Sequence, residues 1–276
     1  MRILDTHLHL VYRDRFSYPW LADAGKLNAD FPLESYLEEA RKLGISAALH
    51  MEVDVAEGDI EGEAAFATAI DPFVVGAISS ARPEYENFPE QLERLVAIGG
   101  VRGLRRVLHV VPDETSRTQL FRDNIKRLAA HDLTFDICMR ADQLPLAAEL
   151  VDACPDVQFV LDHCGVPDVE NQGLSPWNDY ISELSRRPNI AAKISGVIAY
   201  GGPDWSVETL KPFVLGVIES FGFDRVVWGS DFPVCTSHAT LTDWVEATKA
   251  LISGASEDEA AGLWHRNAER IYGVEG

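Results

Sequence analysis

Cysteine, basic charge and long apolar runs are scarce in this chain, and each shortage excludes a class of protein. The four cysteines, Cys138, Cys154, Cys164 and Cys235, form no CxxC pair and no short framework spacing. This argues against a structural zinc ribbon or a disulfide scaffold and fits a reducing cytosol. No apolar run reaches membrane-spanning length, and the amino terminus offers no apolar leader. We therefore expect a soluble, cytoplasmic protein.

Basic residues are outnumbered, because 24 lysines and arginines stand against 44 aspartates and glutamates, giving a formal net charge of -20 at pH 7. Such a charge repels polyphosphate and anionic lipid surfaces. We expect neither nucleic acid nor a membrane as a partner, and the sequence predicts no particular oligomeric state. An anionic small substrate would need a local cluster of arginines, so arginines near a site are informative.

What the chain does contain is an alternation of short β-rich runs with amphipathic stretches. Its 276 residues, 46% of them apolar, suit one barrel or two smaller domains. Helical stretches end at glycine, as at Leu33–Leu43 before Gly44 and at 88–98 before Gly99. Eight units follow one another without a linker, which favours a closed parallel barrel. The β-rich runs are 3–10, 47–53, 73–79, 101–108, 133–139, 157–163, 190–195 and 225–230.

The predicted fold is therefore α/β, a single (β/α)8 TIM-barrel domain over residues 1–276. An extra C-terminal helix is expected at 256–272, where it would cover the barrel. One connection, 11–32, is long for a link after the first strand and carries Tyr18 and Trp20. Long connections of this kind are commonly functional lids.

Polar residues recur near the carboxyl ends of the strands, where alternate side chains face the lumen. In the second strand, Leu49 and Met51 are interpreted as helix-facing, which turns their neighbours inward. In the sixth strand, Phe159, Leu161 and His163 are expected to share one face. So many inward ionisable groups need mutual partners, a metal or a polar ligand. Beside His163, the inward polar set comprises Asp5, His7, His9, His50, Glu52, Arg105, Cys138, Arg140, Lys193 and Asp231.

Three of the histidines and one aspartate carry the chemistry we predict. His7 and His9 on one strand face can share a divalent ion or a substrate oxygen, the alternative being hydrogen-bonded core histidines. His163 can ligate a metal or polarise a carbonyl, unless it is a satisfied core histidine. Asp231, where the last strand opens into a loop, suits a carboxylate that activates water, the alternative being a turn or N-cap residue. We predict Asp231 and His163 as catalytic, with a metal at His7, His9 and Asp231 and His163 as a candidate fourth ligand.

Arg105 is the third predicted catalytic residue, because a guanidinium offers a fixed fork of donors to an oxyanion or a carboxylate. The alternative is a structural ion pair with Glu52. Tyr18 and Trp20 can line a sugar-sized pocket from the lid or simply anchor that loop. The predicted substrate-binding residues are Trp20, Tyr18, Glu52, Arg140 and Lys193.

Seven motifs are spread over nearly the whole chain: Asp5-Thr6-His7-Leu8-His9, Tyr18-Pro19-Trp20, Gly103-Leu104-Arg105-Arg106, Leu161-Asp162-His163-Cys164-Gly165, Lys193-Ile194-Ser195-Gly196, Trp228-Gly229-Ser230-Asp231-Phe232-Pro233 and Asn267-Ala268-Glu269-Arg270-Ile271-Tyr272-Gly273. Together they resemble the amidohydrolase superfamily, specifically its lactonase-like "amidohydrolase 2" branch. The resemblance implies a distorted barrel that hydrolyses a cyclic ester, with sugar lactones and 2-pyrone-4,6-dicarboxylate lactones as substrate classes. It also puts His7, His9, His163 and Asp231 on active-site positions.

The chain departs from the binuclear pattern of that superfamily. The fourth strand offers Arg105 and no bridging lysine, and the fifth offers Cys138 and no histidine. This argues against two metals. It leaves one divalent ion, zinc by preference, or no metal at all, since the branch contains members of both kinds.

The functional hypothesis is that Asp231 takes a proton from a water that attacks a lactone carbonyl. A metal held by the histidines, or the histidines and Arg105 themselves, would stabilise the oxyanion. Tyr18-Pro19-Trp20 and the modest number of arginines favour a sugar-acid lactone, and hence carbohydrate catabolism, over a pyrone dicarboxylate. Two alternatives stay open: a metal-dependent decarboxylase of the same superfamily, and a non-catalytic barrel that binds a metal or a sugar acid.

Overall fold

Eight parallel strands in sequence order form one sheet in the computed structural model, which describes residues 2–275. Every one of the predicted β-rich runs overlaps one of these strands, so the predicted alternation is confirmed. The strands are β1 (Ile3–Leu8), β2 (Ile45–Met51), β3 (Val74–Ser80), β4 (Val101–Val107), β5 (Thr134–Cys138), β6 (Phe159–Leu161), β7 (Ile190–Ile194) and β8 (Val226–Trp228).

Helices connect the strands and surround the sheet. The first helix ends at Gly44, whose φ of 88° is a left-handed conformation that glycine adopts without steric cost. The helices are α1 (Leu33–Leu43), α2 (Ile60–Ala69), α3 (Phe88–Ala97), α4 (Gln119–Lys126), α5 (Leu144–Ala153), α6 (Trp177–Leu184), α7 (Val197–Tyr200), α8 (Val207–Phe221), α9 (Leu241–Leu251), α10 (Glu257–Ala261) and α11 (Asn267–Tyr272). Within residues 2–275, no helix combines the length and apolarity needed to cross a membrane.

The sheet closes on itself where β1 and β8 end. A parallel bridge joins Leu8 to Phe232, and the His9 N–H donates to the Phe232 carbonyl over 2.8 Å. The Asp231 N–H donates to the His7 carbonyl over 2.9 Å. The predicted (β/α)8 barrel is confirmed, and its closure brings the first and last motifs of the chain side by side. The extent of the domain, 1–276, stays a prediction.

Apolar side chains form two layers on either side of the strands. The outer layer fills the space between strands and helices and includes Leu104, Phe135, Ile137 and Trp228. The inner layer fills the barrel below its mouth, and its members are Leu4, Ala47, Leu49, Met51, Ile78, Val160, Val227, Ala268, Tyr272 and Val274. The last three of these come from the C-terminal segment, so that segment closes the amino-terminal end of the barrel. The predicted terminal helix is present as α10, a π-helical turn at Gly262–Arg266, and α11.

The side chains of the second strand have the opposite orientation to the one we predicted. Leu49 and Met51 belong to the inner layer, and His50 points outward, with its Nε2 3.5 Å from the Glu63 carboxylate on α2. The reason is that the barrel interior below its mouth is itself packed with branched apolar side chains. Apolar character therefore does not distinguish the two faces of this strand.

Two further predictions of side-chain orientation are wrong, because the backbone is irregular at these residues. Asp5 points outward, and its carboxylate accepts a 2.6 Å hydrogen bond from the Tyr36 hydroxyl on α1. Between Asp5 and Leu8 the pairing of β1 with β2 slips by one residue, which breaks strict alternation. His163 does not share a face with Leu161, because its left-handed φ of 53° turns it towards the barrel mouth.

Candidate active site

His9 and Asp231 face each other across the seam between β1 and β8. The Nε2 of His9 lies 3.6 Å from an Asp231 carboxylate oxygen, and its Nδ1 lies 3.0 Å from the Met51 carbonyl. Since a carbonyl can only accept, His9 Nδ1 carries the proton of this hydrogen bond. Nε2 is therefore the ring nitrogen of His9 that faces Asp231.

His7 lies beside this pair, fully buried. Its Nε2 is 3.7 Å from Asp231, and its Nδ1 is 3.4 Å from the Asp162 carboxylate and 3.2 Å from Lys193 Nζ. Burial, followed by the nearby Lys193 charge, holds the pKa of His7 well below its usual range. His7 is therefore neutral. Its Nδ1 lies between the Lys193 ammonium and the Asp162 carboxylate, and its Nε2 is on the side of Asp231.

His163 completes a trio of imidazoles. Its ring centroid is 4.4 Å from that of His7, and its Nδ1 lies 2.9 Å from the Ser195 hydroxyl and 3.8 Å from Asp231. Burial lowers the pKa of His163, although the Asp231 charge partly offsets that effect. The ring approaches Gly196 so closely that a Cβ there would lie 2.7 Å from His163 Nδ1.

Asp231 occupies a strained position at the end of the β8 motif. Its φ of 56° is unusual for a residue other than glycine, and its side chain is 2% exposed. Its Oδ2 is buried and has no hydrogen-bond partner among the described residues. Strain and an unsatisfied buried acceptor are costly, and both are typical of functional sites.

A buried ionic network lies directly beneath these groups. Arg105 donates to Glu52 over 2.6 Å and to Asp162 over 3.2 Å. Lys193 Nζ lies 2.6 Å from Asp136 and 3.0 Å from Asp162. Burial opposes ionisation of Asp162, but the Lys193 ammonium and His7 keep its pKa well below the usual range. Burial raises the pKa of Asp136 to about 6 in spite of Lys193, so both carboxylates are ionised at neutral pH.

The buried charges at the mouth do not balance. Four carboxylates face two cations, which leaves two negative charges uncompensated when all of them are ionised. Uncompensated buried charge is expensive, and a divalent cation would neutralise it. The groups concerned are Glu52, Asp136, Asp162, Asp231, Arg105 and Lys193.

The donor set fits a single metal ion. One ligand atom from each of His7, His9 and Asp231 lies within 4.8 Å of the others, and all three residues are buried. Two imidazole nitrogens and a carboxylate suit Zn²⁺. A metal ion bound by His9 and Asp231 would satisfy the acceptor atoms that these two residues turn towards each other. The ligand atoms of a second group, His7, Asp162 and His163, also lie within 4.8 Å of one another. In that group, however, Asp162 already forms ion pairs with Lys193 and Arg105.

A cavity of about 490 Å³ opens above these residues. Its floor includes His9, His163, Asp231 and Arg105. The connection 11–32, expected to be a functional lid, contributes Val11, Trp20, Leu21 and Leu27 to its wall. Metal donors, a carboxylate with a free oxygen and a guanidinium thus border one cavity of a size that can hold a small ligand.

The predicted substrate-binding residues divide into two groups. Trp20 and Arg140 border the cavity, the indole N–H donating to the Val53 carbonyl over 2.8 Å. Tyr18, Glu52 and Lys193 do not border it, although Glu52 and Lys193 are both fully buried behind the floor. The geometry supports direct substrate contact for the first two only.

Several residues at the site were not predicted. Asp136 and Asp162 were missed although both alternate with outward apolar residues of their strands, which is a usable signal. Tyr200 borders the cavity from α7, with its ring perpendicular to that of His163 at 6.2 Å between centroids. His109 also borders it, with Nδ1 3.4 Å from the Cys138 thiol. Both follow their strands by several residues, where alternation has no meaning.

The fold and the site define a hydrolase-type barrel with one buried His-His-Asp centre. The Amidohydrolase family model matches residues 4–274, so the chain belongs to this family and is a hydrolase. The L-fucono-1,5-lactonase of Burkholderia multivorans is 26% identical over 98% of this chain and 96% of that protein. The chain thus lies in the lactonase-like branch.

Two solved structures share the fold. An amidohydrolase from Burkholderia multivorans, crystallised with bound zinc, has a TM-score of 0.90 at 20% identity, with all of both chains covered. The 5-carboxyvanillate decarboxylase of Sphingomonas paucimobilis has a TM-score of 0.71 at 16% identity, with 99% of each chain covered. At such identities the likeness concerns the fold alone.

Proposed function

We propose that this protein hydrolyses a small lactone, a cyclic carboxylic ester, with Asp231 as the general base. The observation that carries the proposal is the unpartnered, buried Oδ2 of Asp231, which lies among three imidazoles on the floor of the cavity. A carboxylate held in this way, with no donor to satisfy it, is ready to accept a proton from a water molecule.

In the proposed reaction, water adds to the lactone carbonyl while Asp231 accepts one of its protons. Arg105, which borders the cavity and is held in place by Glu52 and Asp162, offers positive charge to the oxyanion. Collapse of the tetrahedral species breaks the ring C–O bond, and the proton held by Asp231 passes to the departing alkoxide. The product is a hydroxy acid, and Asp231 is returned to its ionised form.

The residues that would hold a metal are His7, His9 and Asp231, with His163 next to them. When bound, a zinc ion would act as a Lewis acid and lower the pKa of water. The role of the chain itself is to orient these histidines, through the Met51 carbonyl for His9 and the Asp162 carboxylate for His7.

For the substrate, we propose a sugar-acid lactone. The name of the Burkholderia multivorans relative, an L-fucono-1,5-lactonase, supports this class. A pyrone dicarboxylate would require two carboxylate sites. Of the two arginines that border the cavity, Arg105 is already paired with Glu52 and Asp162, which leaves Arg140. The small number of arginines at the cavity therefore favours a substrate with fewer acidic groups than a pyrone dicarboxylate.

A panel of aldonolactones and pyrone lactones, assayed with a pH indicator with and without a chelator, tests the proposal. Acid release with ring opening is the expected result, and a loss of rate with chelator that zinc restores would assign the metal. Decarboxylation is the alternative chemistry, represented among the fold neighbours. Release of carbon dioxide from an aromatic acid, with no lactone turned over, would contradict the proposal and favour that alternative.

A further inference from the structure

Above its polar floor, the wall of the cavity is largely apolar. The connection between β1 and α1 contributes Val11, Leu21 and Leu27. Val53 and Val166 follow β2 and β6, and Val107 is the last residue of β4. None of these side chains can donate or accept a hydrogen bond. A substrate hydroxyl placed against them would lose its bonds to water without replacement, whereas a hydrocarbon group there would gain from leaving water.

The cavity also has room for more than a lactone ring. Its volume of about 490 Å³ lies within the range of cavities that enclose drug-sized ligands. A bare five- or six-membered lactone seated over Asp231 would leave part of that volume beside the apolar wall. The remaining space is thus available to a substituent on the ring.

At one residue of this wall, an apolar side chain is present in spite of an unfavourable backbone conformation. Val166 has a φ of 49°, a left-handed conformation that β-branched residues rarely adopt. It follows His163 and Cys164, which are also left-handed, and its side chain borders the cavity. Asparagine or glycine would relieve the strain, so an apolar side chain at this position has a cost for the fold. Strain of this kind is concentrated at functional sites.

We infer that the enzyme also hydrolyses lactones that carry an alkyl substituent, with the chain lying along Leu21, Leu27 and Val166. The inference rests on the proposed lactone hydrolysis and extends its substrate class. The reaction is the same: the water oxygen bonds to the carbonyl carbon, the ring C–O bond breaks, and the released hydroxyl receives the proton from Asp231. The alkyl group takes no part in the bond changes and contributes through burial.

A homologous series tests the inference: δ-valerolactone, δ-hexalactone, δ-octalactone and δ-decalactone, each rate being divided by that lactone's hydroxide-catalysed rate. We expect kcat/KM to rise about fourfold per added methylene until the space is filled. A flat or falling series, with an aldonolactone still hydrolysed, would overturn this inference and leave the proposed function standing. If no lactone of either kind is turned over, both are overturned.

Two variants connect the effect to the wall. Val166→Asn places a polar side chain there and tolerates the left-handed backbone, so the fold is expected to be retained. It should reduce the gain per methylene to less than twofold. Leu174→Asn makes the same kind of change in the same connection after β6, at an exposed residue outside the cavity wall. This control should keep the fourfold gain, and an equal loss in both variants would contradict the assignment of the wall.

Discussion

The Asp162 carboxylate lies 3.4 Å from His7 Nδ1, and Asp231 lies 3.7 Å from Nε2 of the same ring. When Nε2 binds a metal, Nδ1 of the neutral ring carries the proton, and the Asp162 carboxylate is the acceptor beside it. We predict that Asp162→Asn weakens zinc affinity roughly 10- to 100-fold, because the amide is a poorer acceptor for the Nδ1 proton. Competition of the apo-protein with a chromophoric chelator measures this directly. Unchanged affinity in a folded variant would contradict the role of Asp162.

Gly196 has a left-handed φ of 72° and lies against the His163 ring. We predict that Gly196→Ala lowers lactone hydrolysis at least about tenfold, because its Cβ would displace that imidazole by steric overlap. Gly99→Ala is the matched control, since Gly99 has a φ of 81° and nothing within 4 Å of an added Cβ. By urea unfolding, Gly99→Ala should lower the free energy of unfolding by about 1 kcal/mol and Gly196→Ala by more, because of the overlap. Only Gly196→Ala should lower activity. Equal activities would show that the position of His163 is unimportant.

Glu52 is buried against Arg105, and its pKa bears on stability. Burial opposes its ionisation, but Arg105 and the Asp54 N–H together lower the pKa below the ordinary value of 4.5. The folded state thus favours the ionised form, and the resulting stabilisation is present above pH 4.5 and lost as the pH falls through the folded pKa.

We therefore predict that Glu52→Gln lowers the free energy of unfolding by about 3 kcal/mol at pH 7. The difference from the unmodified protein should be the same at pH 6 and smaller at pH 4, as measured by urea unfolding. Glu219→Gln, at an exposed residue of α8 whose carboxylate has no ion pair or hydrogen bond to another described residue, should have no measurable effect at any of these pH values. A difference for Glu52→Gln that grows on acidification would contradict the sign of the pKa shift.

The cysteines are predicted to be unreactive in the native protein. Burial raises the pKa of Cys138 and Cys164 to about 12 and that of Cys154 to about 11, and it also raises that of Cys235. At pH 8 a thiol-specific disulfide reagent should react with the native protein at least about tenfold more slowly than with the unfolded chain. All four cysteines should titrate in denaturant. Rapid reaction of one native thiol, above all Cys138 at the cavity, would contradict this prediction.

Strand order and the barrel were predictable because local alternation and helix-ending glycines are encoded along the chain. The side-chain orientation of individual residues was less predictable. His50 was misplaced since the barrel lumen is apolar too, and Asp5 since one extra residue in β1 shifts the alternation. His163 was expected on the face of Leu161 and reaches the mouth through a left-handed turn that a two-residue period does not represent.

The site was predictable where a motif ends a strand, as for His9 and Asp231, which the structure brings to 3.6 Å. It was not predictable where a contact depends on long-range packing. Lys193 was expected at the substrate, but it lies between Asp136 and Asp162, which come from two other strands. Tyr200 borders the cavity from α7, the helix that follows β7, and no local pattern in the sequence indicates this.

The most direct test is the rate of lactone hydrolysis by Asp231→Asn, measured beside Asp179→Asn, an exposed residue on α6. General-base catalysis contributes on the order of 10²- to 10⁴-fold, so kcat should fall by that factor in the first variant and stay unchanged in the second, with both folded by circular dichroism. If Asp231→Asn opens a lactone within threefold of the unmodified rate, Asp231 is not the base and the proposed chemistry is wrong.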